Sequence, residues 1–468
     1  MFRTKLAVMA RCGPLFGGLL LGSLLLGGCG GSAAIQAASS GDLDTLRTEL
    51  DRRSKADDVD LGEAKNIAHR MLSRQIVGAK GDAGERTLEV LPKACVLRVD
   101  GALAERAELD DELAALAMMK RIDAGLEGEL AFAAYVARAE PHWRAVGART
   151  LNRPFDADAH GKAAQNQAKE ARWRQNLLVD PSTLVRRGAL LAATEAGHPG
   201  DTRAVLEAAR LDPDEDNRII AIEALGAIGT REAVMGLKDL WDAAGEDARL
   251  TILKAWGAAS SEEDVEVPCN TPPQRSACVA RYHLRRISEG GAAMDNLAAS
   301  LATITGVDPE ERTTEQGNAA GVVERLIDES STRVRVHAIT HAPVAWPRLL
   351  VAIEEAKDDA NPLVAVAANA RLLSLGGKDA AAATKHLKKL AKDGVGAEEA
   401  RRALAAAGDA SQAKVIDPDL ANPSRETRSL AGVLMAQMKQ VGRALPLLAD
   451  RDPGVRSRVA CAILDIDG

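Results

Sequence analysis

The feature that most constrains this 468-residue chain is a register that returns about every thirty-one residues. "VRRGALLAATEAG" begins at Val185, "NRIIAIEALGAIG" at Asn217 and "ARLTILKAWGAAS" at Ala248, so arginines fall at Arg186, Arg218 and Arg249. Small residues recur at Ala192, Ala224 and Ala255, and Gly197, Gly229 and Ser260 close the segments. The register resumes at Val334, Val364, Gly396, Thr427 and Val455, adding Arg335, Arg428 and Arg456, and a fainter copy starts at Trp143. Apolar residues at helical spacing, rich in the strong helix formers alanine and leucine, predict an all-α chain. A fixed period near thirty with two helices per unit is the mark of an α-solenoid, in which each unit buries its apolar face on its neighbours.

The turns carry a second pattern. Asp180-Pro181, Asp212-Pro213, Asn361-Pro362, Asn422-Pro423 and Asp452-Pro453 each precede a first helix. Asp and Asn cap free amides at helix starts, and proline is tolerated in the first turn, where its missing N–H had no partner. Asp180, Asp212 and Asn422 each lie six residues before an arginine. The column Arg186, Arg218, Arg249, Arg335, Arg428, Arg456 therefore reads as a structural ladder, each guanidinium satisfying turn carbonyls or carboxylates of its own or the adjacent repeat.

This "DP…VR..A..AL..G" register, spanning roughly residues 128–468, resembles the HEAT-repeat family, in the short-repeat form also found in phycobilin lyases. The resemblance implies a right-handed stack of antiparallel helix pairs that offers a long concave surface to another macromolecule. Residues 34–127 read as further helix pairs capping the start of the solenoid. Within them, Ala34 to Arg53 resembles one ankyrin-type helix pair, with a Gly41-Asp42 turn and Leu43, Leu46 and Leu50 on one face, although the ankyrin TPLHxA signature is absent.

The first residues belong to no fold. Arg3, Lys5 and Arg11 form a positive leader, and Leu15 to Leu26 is an apolar stretch too short for a comfortable membrane span. Leu26-Gly27-Gly28-Cys29 resembles the bacterial lipobox. The resemblance implies cleavage after residue 28, acylation of Cys29 and a tether over 29–33. Gly30 rather than aspartate follows the cysteine, which points to an outer-membrane anchor facing the periplasm if the sorting rule of enteric bacteria applies. Losing three of the 60 basic residues and none of the 67 acidic ones takes the balance from −7 to −10. That balance argues against nucleic acid as a partner, which needs a basic surface.

Of the other cysteines, Cys269 and Cys278 bracket a proline-bearing loop and are expected to pair in an oxidising compartment. Cys95 and Cys461 sit in apolar helical stretches and read as small buried hydrophobes. Two segments, 260–278 and 306–320, read as loops inserted between repeats.

Little here suggests chemistry. Aromatics are only 2% of the chain, few for a catalytic pocket or a stacking surface. No histidine is followed by glutamate, the step that marks HEAT-type iron enzymes, and no GxSxG or P-loop motif occurs. His337 and His341, four apart on one helix, are candidate metal ligands, but His341 falls in the packing column of Ala192 and Ala224. Trp143, Trp241, Trp256 and Trp346 read as packing residues. The expectation is a lipid-anchored, non-catalytic scaffold for protein partners, with no cofactor. The alternative is an enzyme or a small-molecule or metal-binding protein with a site in the concave groove.

Overall fold

In the computed structural model the described residues are 32–56, 59–109, 111–126, 135–260 and 272–466, and among them every regular element is helical. The N-terminal region forms α1 (Ala33–Ser40), α2 (Leu43–Ala56), α3 (Leu61–Val77), α4 (Gly81–Glu89), α5 (Lys93–Arg98), α6 (Asp100–Ala107) and α7 (Glu112–Asp123). The repeats follow as α8 (Pro141–Arg149), α9 (Lys162–Leu177), α10 (Thr183–Ala196), α11 (Thr202–Leu211), α12 (Glu215–Ile228), α13 (Arg231–Trp241), α14 (Glu246–Ala259) and α15 (Pro272–Gly290). Beyond them come α16 (Ala293–Ile304), α17 (Thr314–Glu329), α18 (Thr332–His341), α19 (Pro347–Ala356), α20 (Pro362–Leu375), α21 (Ala380–Leu390) and α22 (Ala397–Ala406). The last helices are α23 (Ala413–Ile416), α24 (Arg425–Gln437), α25 (Val441–Ala444) and α26 (Pro453–Asp465).

The first helices of successive repeats pack on one another as an inner layer, α8 on α10, α10 on α12, and onward to α24 on α26. The second helices form an outer layer, in looser mutual contact. Where the inner helices come closest, glycine is required. A Cβ on Gly226 would sit 2.6 Å from the Ala255 Cα, and one on Gly257 would sit 2.8 Å from the Ala302 oxygen.

The array does not end where the sequence register ends. Helix α26 packs against α3, α3 against α6, α6 against α7 and α7 against α8, so the layer closes on itself as a ring. The segment expected to cap the start of the solenoid also caps its finish. The seam is a true core. Leu46, Leu50, Ile67, Leu72 and Ile76 share one buried cluster with Met435, Leu445, Leu448, Val459 and Ile463. Full burial of each such side chain contributes about 1.5–3 kcal/mol. Polar contacts complete the seam. Arg47 donates to the Ala449 carbonyl at 2.9 Å, Gln75 donates to the Pro453 carbonyl at 2.9 Å, and Arg456 donates to Gln75 Oε1 at 2.7 Å.

Across the seam runs a disulfide between Cys95 and Cys461, 366 residues apart, with Cα atoms 5.4 Å from each other. This corrects the reading of the two as free hydrophobes. Both are buried, as expected, but ring closure puts them face to face. Both expected loops also shrink. Helix α15 begins at Pro272 and α17 at Thr314, so much of 306–320 is helical. Thr313 and Gln316 form a capping box, each side chain taking the other's backbone N–H, which starts α17 without apolar periodicity in its first turn.

The turn chemistry is more specific than the Asx-Pro dipeptides implied. Asn361 and Asp452 cap their helices, with proline at the first helical position. Asp180, Asp212 and Asn422 do not cap. The caps lie two residues on, at Ser182, Asp214 and Ser424. Instead Asp180, Asp212, Asp359, Asn422 and Asp450 each accept the backbone N–H two residues ahead. Proline therefore occurs in two registers, which a dipeptide alignment merges into one.

Candidate functional site

The arginine column lies against these turns. Arg186 donates to the Asp180 and Pro181 carbonyls of its own turn at 2.9 and 3.1 Å, and to the Asp212 carboxylate of the next turn at 2.7 and 3.0 Å. Arg428 repeats the pattern on Asn422, Pro423 and Asp450. Arg335 takes the Ile327 carbonyl and the Asp359 carboxylate, and Arg144, outside the expected column, takes both oxygens of Asp180. Arg218 keeps only the carbonyl of Asp212, at 2.8 Å. Arg249 lies over the Trp241 ring, 5.2 Å from its centre. Arg456, at the seam, meets Gln75 of α3 in place of a next turn.

Each aspartate in the ladder thus binds one arginine with its side chain while its carbonyl can receive another. Burial pushes the Asp212 carboxyl up, but hydrogen bonds from Arg186, the Asp214 amide and Asn217 outweigh it and hold the group below its ordinary value. The Asp359 carboxyl is held below 3.8, chiefly by its hydrogen bond from Arg335. A depressed folded-state value means the unfolded chain takes up the proton first as pH falls. The contribution of Asp359 is therefore complete above about pH 4 and is lost as pH drops through its folded-state value. Urea midpoints measured at pH 5 and pH 3 should fall between the two, and Asp359→Asn should fall less than the parent. An equal fall would remove Asp359 from the acid response.

The remaining candidates are placed as follows. Trp143, Trp256 and Trp346 are buried, and the last two donate their indole N–H to the Val234 and Ile304 carbonyls. Trp241 is partly buried, tilted 5.8 Å from Trp256. Cys278 is disulfide-bonded, and Cys269, its expected partner, lies outside the described residues, as do Cys29 and the leader.

His337 and His341 stand side by side on the free face of α18, ring centres 4.4 Å apart. Burial lowers the His337 pKa, and His341, Arg333 and Lys254 lower it further. Two fixed cations beside the pair oppose a metal ion. Among the described residues no group of three His, Cys, Asp or Glu side chains could hold one.

The inner layer offers a mixed surface. On α10 the side chains left out of the core include Leu184, Arg187, Leu191 and Glu195, and on α14 they include Glu246, Asp247 and Lys254. Arg333 of α18 pairs with Glu246 of α14 at 3.2 Å, past the intervening α16.

A distinct concavity lies at the seam, a cleft of about 680 Å³ between α5, the end of α24 and α26. Its walls include Val90, Pro92, Val433 and Ala462, and the Cys95–Cys461 bridge lies in its lining. Lys439, Arg98, Arg458 and Asp465 supply its charges. Nothing in the sequence reading pointed to it, because its walls come from the two ends of the chain.

Residues 170–256 match the family described as HEAT repeats. That part of the chain carries HEAT repeats. The matched span covers α10 to α13, the second half of α9 and most of α14, and includes Arg186, Arg218 and Arg249. Three solved structures similar to this chain are an engineered protein, UNC-45 from Drosophila melanogaster and a mutant of Kap121p. The first is 16% identical over 83% of this chain and 100% of its own, with a TM-score of 0.29. UNC-45 is 12% identical over 92% of this chain and 75% of its own, with a TM-score of 0.26, and Kap121p is 12% identical over 87% and 47%, with a TM-score of 0.23. Scores this low transfer neither shape nor role. No curated protein matches the chain.

Proposed function

We propose that this protein is a non-catalytic interaction scaffold of a bacterial envelope, tethered by lipid on Cys29 and binding protein partners over its HEAT-repeat surface. The observation that carries the scaffold reading is the ladder itself. The polar groups that repeat along the chain are spent on turn carbonyls and carboxylates, from Arg144–Asp180 to Arg428–Asp450, so repetition here builds a stiff frame. Recognition is then distributed over the non-repeating side chains of the surface. Ring closure narrows how a partner binds. A folded domain has no open concave groove to enter, so partners use the outer layer and the rims, or pass an extended segment through the ring.

The leader and lipobox-like motif support the anchor, and Gly30 after Cys29 supports outer-membrane residence facing the periplasm under the sorting rule of enteric bacteria. Helix α1 starts at Ala33, with Ser32 capping it, so only Gly30, Gly31 and Ser32 separate the anchor from the fold. On this reading the seam lies at the membrane-proximal end of the ring. Cys29→Ala should abolish incorporation of a labelled fatty acid in cells and release the chain from the membrane fraction, and persistent labelling would end the anchor reading. In-cell crosslinking followed by affinity isolation tests the scaffold. Recovery of discrete protein partners, lost when exposed rim residues are changed, is the expected result.

A further inference from the structure

The seam cleft holds a local conflict that the fold does not require. Several first helices end in a turn whose last residue adopts a left-handed conformation, and glycine takes that place at Gly197, Gly229 and Gly408. Only glycine adopts it without a steric cost from Cβ. After α24 the turn seen at Gly408 forms again, with the Lys439 N–H on the Ala436 carbonyl and the Gln440 N–H on the Met435 carbonyl. These match the bonds of Gly408 to Ala405 and of Asp409 to Leu404. Here, however, the left-handed residue is Lys439, φ 57°, the one non-glycine residue with positive φ among those described. A strained residue persists where its surroundings impose it, and such residues gather at ligand sites.

This left-handed residue is also one of the cations that line the cleft. Arg458 lines the same cleft from α26, and neither Lys439 nor Arg458 has an acidic partner among the described residues. Arg98 also lines it but is committed to Asp465, at 3.6 Å. The walls behind these cations are aliphatic, formed by Val90, Pro92, Val433, Ala462 and Ile466, with no aromatic ring among the lining residues to stack on a planar ligand. The Cys95–Cys461 bridge joins α5 to α26, so two of the walls are covalently tied.

We infer that the seam cleft binds an aliphatic carboxylate of medium chain length, its tail against the aliphatic walls and its head group between Lys439 and Arg458. The volume suits it, since small-ligand clefts run from about 300 to 1,000 Å³ with apolar walls and a few placed polar groups. Two unpaired cations against one carboxylate give the charge complementarity, and a carboxylate accepts from both. This site is independent of the scaffold and anchor readings.

The test exploits the opposite signs that strain and binding predict for one residue. Dodecanoate titrated calorimetrically into the full chain should bind one site. Acetate, which lacks the tail, and dodecyltrimethylammonium, which reverses the head-group charge, should bind at least tenfold more weakly. Lys439→Gly relieves the left-handed strain, so it should raise the urea midpoint of unfolding while weakening dodecanoate about tenfold. Arg458→Ala should weaken it to a similar extent. A Lys439→Gly protein that binds dodecanoate as tightly as the parent overturns the proposal, as does equal binding of the cationic amphiphile. Loss of stability in Lys439→Gly would show that the lysine serves the fold instead.

Discussion

Asp212→Ala should destabilise the protein by about 3 kcal/mol, toward the lower end of the range for breaking one side of a buried ion pair. The Asp212 side chain is 1% exposed and that of Arg186 10%, so the guanidinium left behind is cut off from water on the carboxylate side. The cost stays at the lower end because Arg186 keeps the carbonyls of Asp180 and Pro181. Asp212 also accepts the Asp214 N–H, so its loss loosens the turn that enters α12. Arg218→Ala is the informative comparison. It removes one hydrogen bond to a carbonyl and should cost only about 1 kcal/mol. Chemical denaturation followed by circular dichroism measures both, with the change in midpoint multiplied by the slope. If the two substitutions cost the same, the carboxylate rungs are not what stiffens the frame. An Asp212→Asn variant separates charge from the backbone hydrogen bond, since the amide oxygen still accepts the Asp214 N–H.

Removing the seam disulfide should produce a comparable or larger loss. The bridge joins residues 366 apart, so it restrains nearly the whole unfolded chain. Loop-closure entropy puts a crosslink over so long a loop at about 6 kcal/mol as a model-dependent upper figure, against about 2–5 kcal/mol for the loss of a typical native disulfide. Cys461→Ser, or reduction of the parent protein, should lower the urea midpoint accordingly. The folded ring should nonetheless stay closed. The seam is held as well by the apolar cluster of Leu46, Ile67, Leu72, Leu448 and Val459, and by the Arg456–Gln75–Pro453 contacts. Small-angle scattering of the reduced protein tests this. An unchanged radius of gyration with a lowered unfolding midpoint is expected, while a marked expansion would mean that the disulfide alone keeps the ring shut.

The two substitutions probe features of different legibility. The Asp212–Arg186 rung has counterparts at Arg144, Arg335 and Arg428 but not at Arg218 or Arg249, although the column of arginines six residues after Asx is visible in the sequence. Its partners were less visible, because Asx-Pro falls in two registers and only the backbone shows that Asp180, Asp212 and Asn422 sit two residues before the true caps. The capping box of Thr313 and Gln316 was present in the sequence as Thr-x-x-Gln and outweighs the lack of apolar spacing around it. His337 and His341 were visible as a pair, but the cations beside them come partly from another helix, Lys254 on α14.

The sequence by itself determined the all-α architecture, the repeat period and the structural character of the arginine column. All of these are local or periodic, set by interactions within a unit or between neighbouring units. Only the tertiary structure decided that the array closes. Closure depends on the summed curvature of many small helix-to-helix rotations, and no short segment encodes that sum. From closure follow the pairing of Cys95 with Cys461, the joint core of the two chain ends and the cleft between them. There Lys439 occupies a backbone conformation that its neighbours in the repeat leave to glycine.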